Sequence, residues 1–327
     1  MKSKTMMGVI FLILLVLVGG EILLRRIQLV RPVAAAADSL WRGPDSVAIP
    51  VGGAGDLIRY GQDLIERTGY YYGPAGVLSH SSNGMNCQNC HLSGGRQPWG
   101  NNFGGVQSSY PKFKERRGAV EDIAQRITDC FERSLNGVAP DSSSREALAM
   151  AAYMEWLGAD VPKGKKPAGS GIEAIAYLNR AADPAKGKQL YGLKCQLCHG
   201  PEGAGVMDKD GRVYVYPPVW GDHSYNSGAS FYRLSRLAGF IYNNMPSGTD
   251  YRKPQLTAEE AWDLAAFIDS RPRPVKAFAQ DWPDIGLKPV DHPFGPFPDT
   301  FGAGQHKFGP FPPIVKARDE KQKKSSK

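Results

Sequence analysis

The pattern Cys-x-x-Cys-His occurs twice, as Cys87-Gln88-Asn89-Cys90-His91 and as Cys195-Gln196-Leu197-Cys198-His199. It is the attachment signature of a c-type haem. The two thiols add across the vinyl groups of the porphyrin, and the adjacent imidazole can then bind the iron. One Cys-x-x-Cys alone would leave a redox dithiol, a zinc knuckle or a disulfide open. Two copies, each followed at once by histidine, predict two covalently bound haem c groups. Cys87, Cys90, Cys195 and Cys198 are then the attachment residues, and His91 and His199 are iron ligands.

The chain's 327 residues are enough for two small domains with tails. Residues 1–37 read as a signal peptide or membrane anchor. Lys2 and Lys4 precede an apolar run from Met6 to Val18, and a small-residue stretch from Ala34 to Ala37 offers a cleavage site. Arg25, Arg26 and Arg31 lie between them and make the region before that site unusually long, which favours an uncleaved anchor. Glu21 weakens a full span. Either reading exports the rest of the chain to the periplasm and allows a tether at the inner membrane. The balance is basic, 40 Lys+Arg against 32 Asp+Glu, which suits a small anion or an acidic partner. No nucleic-acid-binding module or basic–aromatic stripe occurs.

One module is used twice. In the second, Pro184, Gly187, Leu190 and Tyr191 read as a short helix running into Cys195–His199. A Gly/Pro loop follows, then a helical stretch through Phe231, Leu234, Leu237 and Ile241, then Asn244-Met245-Pro246. Thr257 with Glu260 makes a capping box for a closing helix. This order resembles class I cytochrome c, in which Met245 matches the distal iron ligand, and Gly187 and Tyr191 fall where the first and last helices cross. The first module repeats the plan, with an opening helix through Leu57, Gly61 and Leu64 and a closing helix capped by Ser144. The expected fold is mainly α, with two tandem class I cytochrome c domains over 45–162 and 172–275. A long, largely irregular C-terminal extension with a basic tail occupies 276–327. Its aromatic residues pin it across both domains, and the lysine-rich end beyond Ala317 is expected to be disordered. His80, His223, His292 and His306 are read as structural.

Cys130 is the fifth cysteine. It could be buried and inert, or pair with another chain. Two features favour a third role. Cys130 follows His91 at a distance similar to that from His199 to Met245, and it stands on a helical segment predicted over Val120–Gly137. Arg126, Cys130, Arg133 and Ser134 share a face there, beside an apolar stripe of Ile123, Ile127, Phe131 and Leu135. Neighbouring positive charge favours the thiolate, the metal-binding form. The first haem is therefore expected to be His91/Cys130-ligated, and the second His199/Met245-ligated.

At this point the chain resembles the dihaem thiosulfate dehydrogenases, from about Trp41 to Ile314. The resemblance rests on Asn83-Gly84-Met85-Asn86, Tyr110-Pro111 and the stretch Arg126–Gly137. It also rests on Gln280-Asp281-Trp282-Pro283, Lys288–Pro293 and Gln305–Pro310. It implies that two thiosulfates are oxidised to tetrathionate at the Cys130-ligated haem, with some members running the reverse. Electrons would pass through the second haem to an acceptor cytochrome or other redox protein. Arg126, Ser134 and Arg116 would line the substrate site. On chemistry alone, Arg126 and Arg133 are the best residues to offset paired dianions, with Arg116, Arg117 and Arg96 behind them. The competing reading is a non-catalytic dihaem electron carrier, which needs neither the thiol nor an anion site.

Overall fold

The computed structural model describes residues 40–325. The apolar segment expected over 1–37 lies outside the described residues. Among those described, no helix is long and apolar enough to cross a membrane.

The first half opens on helix α1 (Gly53–Glu66), followed by the short α2 (Thr68–Tyr72). The first haem motif follows α2 as a turn at Cys87–Asn89. A hairpin of β1 (Lys112–Lys114) and β2 (Ala119–Glu121) comes next, with Phe113 opposite Val120. Helix α3 (Ile123–Arg133) is capped by Asp122, which accepts from the Gln125 amide at 2.8 Å, while the Gln125 side chain returns the bond. The helix predicted from Val120 therefore begins later, because Ala119–Glu121 is paired in the hairpin. Ser144 caps α4 (Arg145–Leu157) as expected, accepting from Ala147 N at 3.2 Å.

The second half repeats this plan. Asp183 and Pro184 start α5 (Pro184–Lys194), which leads into the second haem motif. A two-stranded ribbon of β3 (Val206–Met207) and β4 (Tyr214–Tyr216) precedes α6 (Leu234–Asn244). Thr257 and Glu260 form the expected capping box of α7 (Ala258–Ser270).

In each half the opening and closing helices cross at a glycine. A Cβ on Gly61 would lie 1.9 Å from the carbonyl oxygen of Ala149, and one on Gly187 would lie 2.0 Å from that of Asp263. Leu64, Ile65, Phe131, Met150, Tyr153 and Leu157 fill the first core. Leu234, Trp262, Leu264 and Ile268 belong to the second, and the Tyr191 ring packs tilted against Phe267, with centroids 5.5 Å apart. Alanine normally gains about 1 kcal/mol over glycine inside a helix. Here the sign reverses, because the added methyl forces two backbones apart. Gly187→Ala is expected to lose about 1–3 kcal/mol in a denaturant titration of the haem-loaded protein; a stabilised variant would show that α5 and α7 do not cross this closely.

The C-terminal extension bonds to both halves. Trp282 N donates to Arg116 O at 2.8 Å, and Asp281 accepts two bonds from Arg133 at 2.8 Å each. Buried Asp291 accepts from Arg233 and Ser235, while Phe311 packs 5.7 Å from the Trp262 ring. Helix α8 (Ala303–Phe308) holds His306, which bridges Val290 O and Asp299 and stacks on Phe297. Helix α9 (Pro312–Ser325) corrects the expected disorder beyond Ala317. Arg318 on α9 bonds to Asp299 at 2.9 Å and to Lys288 O at 2.5 Å, which ties its middle to the extension.

Candidate active site and haem-binding cavities

Two cavities of similar size, about 410 and 400 Å³, lie one in each half. Cys87, Cys90, His91 and Cys130 face the first; Cys195, Cys198, His199 and Met245 face the second. All five cysteines are unpaired.

The residues fit a haem in each cavity. His91 Nδ1 lies 2.5 Å from Asn101 O, and His199 Nδ1 lies 2.8 Å from Pro217 O. A carbonyl oxygen can only accept, so each Nδ1 carries the proton and each Nε2 keeps a lone pair for a metal. Burial holds both rings neutral, pushing His91 down to about 4 and His199 below its usual range. Burial also pushes the Cys87 and Cys90 thiols up to about 12, the mark of a dry, largely apolar enclosure. Leu237, Phe240, Ile241 and Leu264 give the second cavity the same character.

The first cavity differs in having a polar wall built by α3. Arg126, Cys130 and Ser134 all line it, one helical turn apart; Ile127 and Phe131 add apolar surface beside them, while Ile123 is buried in the core away from the cavity. Arg126 lies deep in the protein yet keeps part of its surface toward the cavity, with no hydrogen bond or ion pair to another described residue. Cys130 beside it is the largest influence holding its guanidinium charged, against the opposing effect of burial. Tyr110 donates to Glu121 at 3.3 Å and closes the same wall.

Two residues expected at the substrate site do not line the cavity. Arg133 turns away, with its guanidinium bidentate to Asp281, 3.7 Å from the Phe278 ring and 3.7 Å from Asp129. Its charge is neutralised by the C-terminal extension. Arg116 lies beside the Trp282 ring at 5.9 Å, still within electrostatic reach of Arg126. Burial, Arg133 and Arg126 together lower it to about 10. Of the weaker candidates, Arg117 pairs with Glu121 and Asp129, and Arg96 pairs with Glu66. Sequence reasoning missed four lysines on the cavity wall: Lys112 and Lys114 on β1, and Lys165 and Lys166 from the segment after α4.

The two cavities share a partition. Met85, Asn86, Cys90, Tyr225 and Phe231 line both. Asn83 and Asn226 fix it by crossing between the halves. Asn83 Nδ2 donates to Ser224 O at 3.2 Å, and Asn226 Nδ2 donates to Glu132 O at 2.8 Å. Beside Met245, Asn244 accepts from Gln97 at 2.8 Å and donates to Trp99 O at 3.2 Å.

Comparison with known proteins agrees with this architecture. Residues 79–162 match the family described as SoxA/TsdA, cytochrome c domain, and residues 184–272 match the cytochrome c family. The chain is 39% identical over 236 residues to a thiosulfate dehydrogenase of Allochromatium vinosum, spanning 71% of this chain and 84% of that protein. It is 38% identical over 251 residues to a thiosulfate dehydrogenase of Psychrobacter arcticus, spanning 76% of this chain and 73% of that one. The solved thiosulfate dehydrogenase TsdBA of Marichromatium purpuratum, in its as-isolated form, superposes with a TM-score of 0.66 at 32% identity. That match covers 75% of this chain and 52% of the other. With two haem-attachment motifs in two cytochrome c domains, and a cavity thiol flanked by an unpaired guanidinium, the chain belongs to the thiosulfate dehydrogenase family of c-type cytochromes carrying two covalently bound haems.

Proposed function

We propose that this chain oxidises two thiosulfates to tetrathionate in the first cavity and delivers the electrons outward through the second. The observation that carries this reading is the pairing of Cys130 with Arg126, a thiol and a desolvated cation without a carboxylate, on one wall of a haem cavity. When bound, the two haems supply two one-electron sinks, matching the two electrons released as one sulfur–sulfur bond forms. His91 and Cys130 are the proposed iron ligands in the first cavity, and His199 and Met245 in the second. The names of the relatives support thiosulfate as substrate.

The protein's task is largely electrostatic. Two dianions about 5 Å apart repel by roughly 13 kcal/mol at an effective dielectric of about 20. Arg126 offsets part of this with directional hydrogen bonds to sulfonate oxygens, and the Ser134 hydroxyl can donate one more. Cys130 acts as a nucleophile in this reading. Its thiolate sulfur bonds to the sulfane sulfur of one thiosulfate as two electrons are removed, giving a Cys–S–S–SO3⁻ adduct. The sulfane sulfur of the second thiosulfate attacks the adduct at the sulfur that bears the sulfonate. Tetrathionate leaves, and the Cys130 thiolate returns.

The apolar leader Met6–Val18 supports a periplasmic location with the leader as signal or tether, and the electron acceptor is then a cytochrome or other redox protein there. Arg126→Gln is expected to lower kcat/KM for thiosulfate by roughly 10- to 100-fold, the loss of a hydrogen bond to a charged group. The assay is steady-state oxidation by the dihaem protein with an artificial ferric acceptor. No turnover by fully loaded wild type, with thiosulfate or in reverse with tetrathionate, would leave a dihaem electron carrier as the better reading.

A further inference from the structure

The hairpin β1–β2 brings an unpaired pair of cations to the first cavity. Lys112 and Lys114 are two residues apart on β1, so their side chains leave the strand on the same face, and both line the cavity. Neither makes a hydrogen bond or ion pair to another described residue; Lys112 only rests over the Tyr110 ring at 4.6 Å. Glu121, the nearby carboxylate, is already engaged by Tyr110 and Arg117, each at 3.3 Å. Lys165 and Lys166 also line the cavity, on a segment pinned by Ser108, whose hydroxyl donates to Lys165 O at 2.6 Å. Half-buried cations without counter-charges destabilise a fold, which marks them as serving a ligand that neutralises them.

One anion on Arg126 and Ser134 leaves these lysines unused. The coupling of two thiosulfates proposed above supplies a second anion of equal charge. Resting on the reading that thiosulfate is oxidised here, we infer that Lys112 and Lys114 form a second thiosulfate subsite. It holds the attacking dianion while Arg126 and Ser134 hold the first.

The groups facing Lys114 give this subsite a pH signature. Burial, then Arg126 and Lys112, lower its ammonium to about 8; Glu121 opposes them and Arg116 adds to them. Lys112 is lowered by burial and Arg126, with Lys166 adding and Glu121 and Glu115 opposing. An anion binds the protonated lysine, so affinity is nearly full at pH 7 and below and is lost as the pH rises through about 8.

The test is steady-state thiosulfate oxidation by the full dihaem chain between pH 6 and 9.5, with a potentiometric titration of each variant. Wild-type KM is expected to rise about tenfold between pH 7 and 9, following the protonated fraction of a group titrating near 8. Lys114→Gln is expected to raise KM about tenfold at pH 7 with kcat changed less than about threefold, and to flatten the rise. Lys114→Arg should restore the pH 7 value and stay flat to pH 9.5, because its charge persists. An active wild type with Lys114→Gln unchanged in KM and pH profile overturns the subsite alone. So does a variant whose only change is the first haem's midpoint potential, which would make Lys114 a partner of the haem propionates. A loaded wild type that does not turn over thiosulfate overturns both the subsite and the reading beneath it.

Discussion

Cys130→Ala is expected to retain both haems and lose thiosulfate oxidation by at least about 100-fold. The attachment cysteines are Cys87, Cys90, Cys195 and Cys198, all distinct from Cys130, so covalent loading should be untouched. Even the outer partners of a metal ligand typically contribute 10- to 100-fold to activity, and Cys130 is proposed to be both ligand and nucleophile. Cys130→Met separates those roles. A thioether can still occupy the iron's distal position, but it cannot form the sulfur adduct, and it should raise the first haem's potential. Both variants should therefore be inactive while differing in midpoint potential. Mass analysis of thiosulfate-treated wild type should find a thiosulfonate adduct on the Cys130 peptide that neither variant can form. Turnover by Cys130→Ala within tenfold of wild type would remove Cys130 from the chemistry.

Arg133→Met is expected to destabilise the protein by about 3 kcal/mol while leaving KM for thiosulfate within about twofold of wild type. Arg133 is nearly buried, at 7% side-chain exposure, and Asp281 is 18% exposed. Removing one partner of such a pair leaves the other charge desolvated, at a cost of about 3–5 kcal/mol; the partial exposure of Asp281 favours the lower end. The double variant Arg133→Met, Asp281→Leu should recover part of the loss, because no charge is then stranded. Denaturant titration of the loaded protein measures the first effect, and steady-state kinetics the second. A tenfold rise in KM at unchanged stability would return Arg133 to the substrate site.

Arg133 also shows where helical periodicity stops being informative. Arg126 and Arg133 are seven residues apart and leave α3 in nearly the same direction. The direction of a Cβ does not fix the far end of a long side chain. At the last turn of α3 the guanidinium meets Asp281, a residue 148 positions away that no local pattern could bring there. Cys130 and Ser134 have short side chains, so for them the same argument reaches the cavity wall. The caps at Ser144 and Thr257 were legible because they are local, set by hydrogen bonds within one turn. The hairpin strands were not. Three residues are too few for an alternation signal, and Lys112 and Lys114 read as ordinary solvated charges until the fold encloses them. The tail beyond Ala317 looked too charged to order; Asp299 supplies the ion pair that its composition could not reveal.

Tyr225 stands in the partition between the two cavities, and it is clamped. Its hydroxyl donates to buried Asp269 at 3.0 Å, and the Arg273 guanidinium lies 4.2 Å from its ring. A side chain that lines both cavities and is held on two sides has little freedom to swing or tilt. Tunnelling falls off steeply with distance, and the nuclear rearrangement that accompanies each hop grows with the softness of the medium. On the proposed reading, a stiff barrier keeps the second cost small, so electrons leaving the first cavity would cross to the second without waiting for Tyr225 to move.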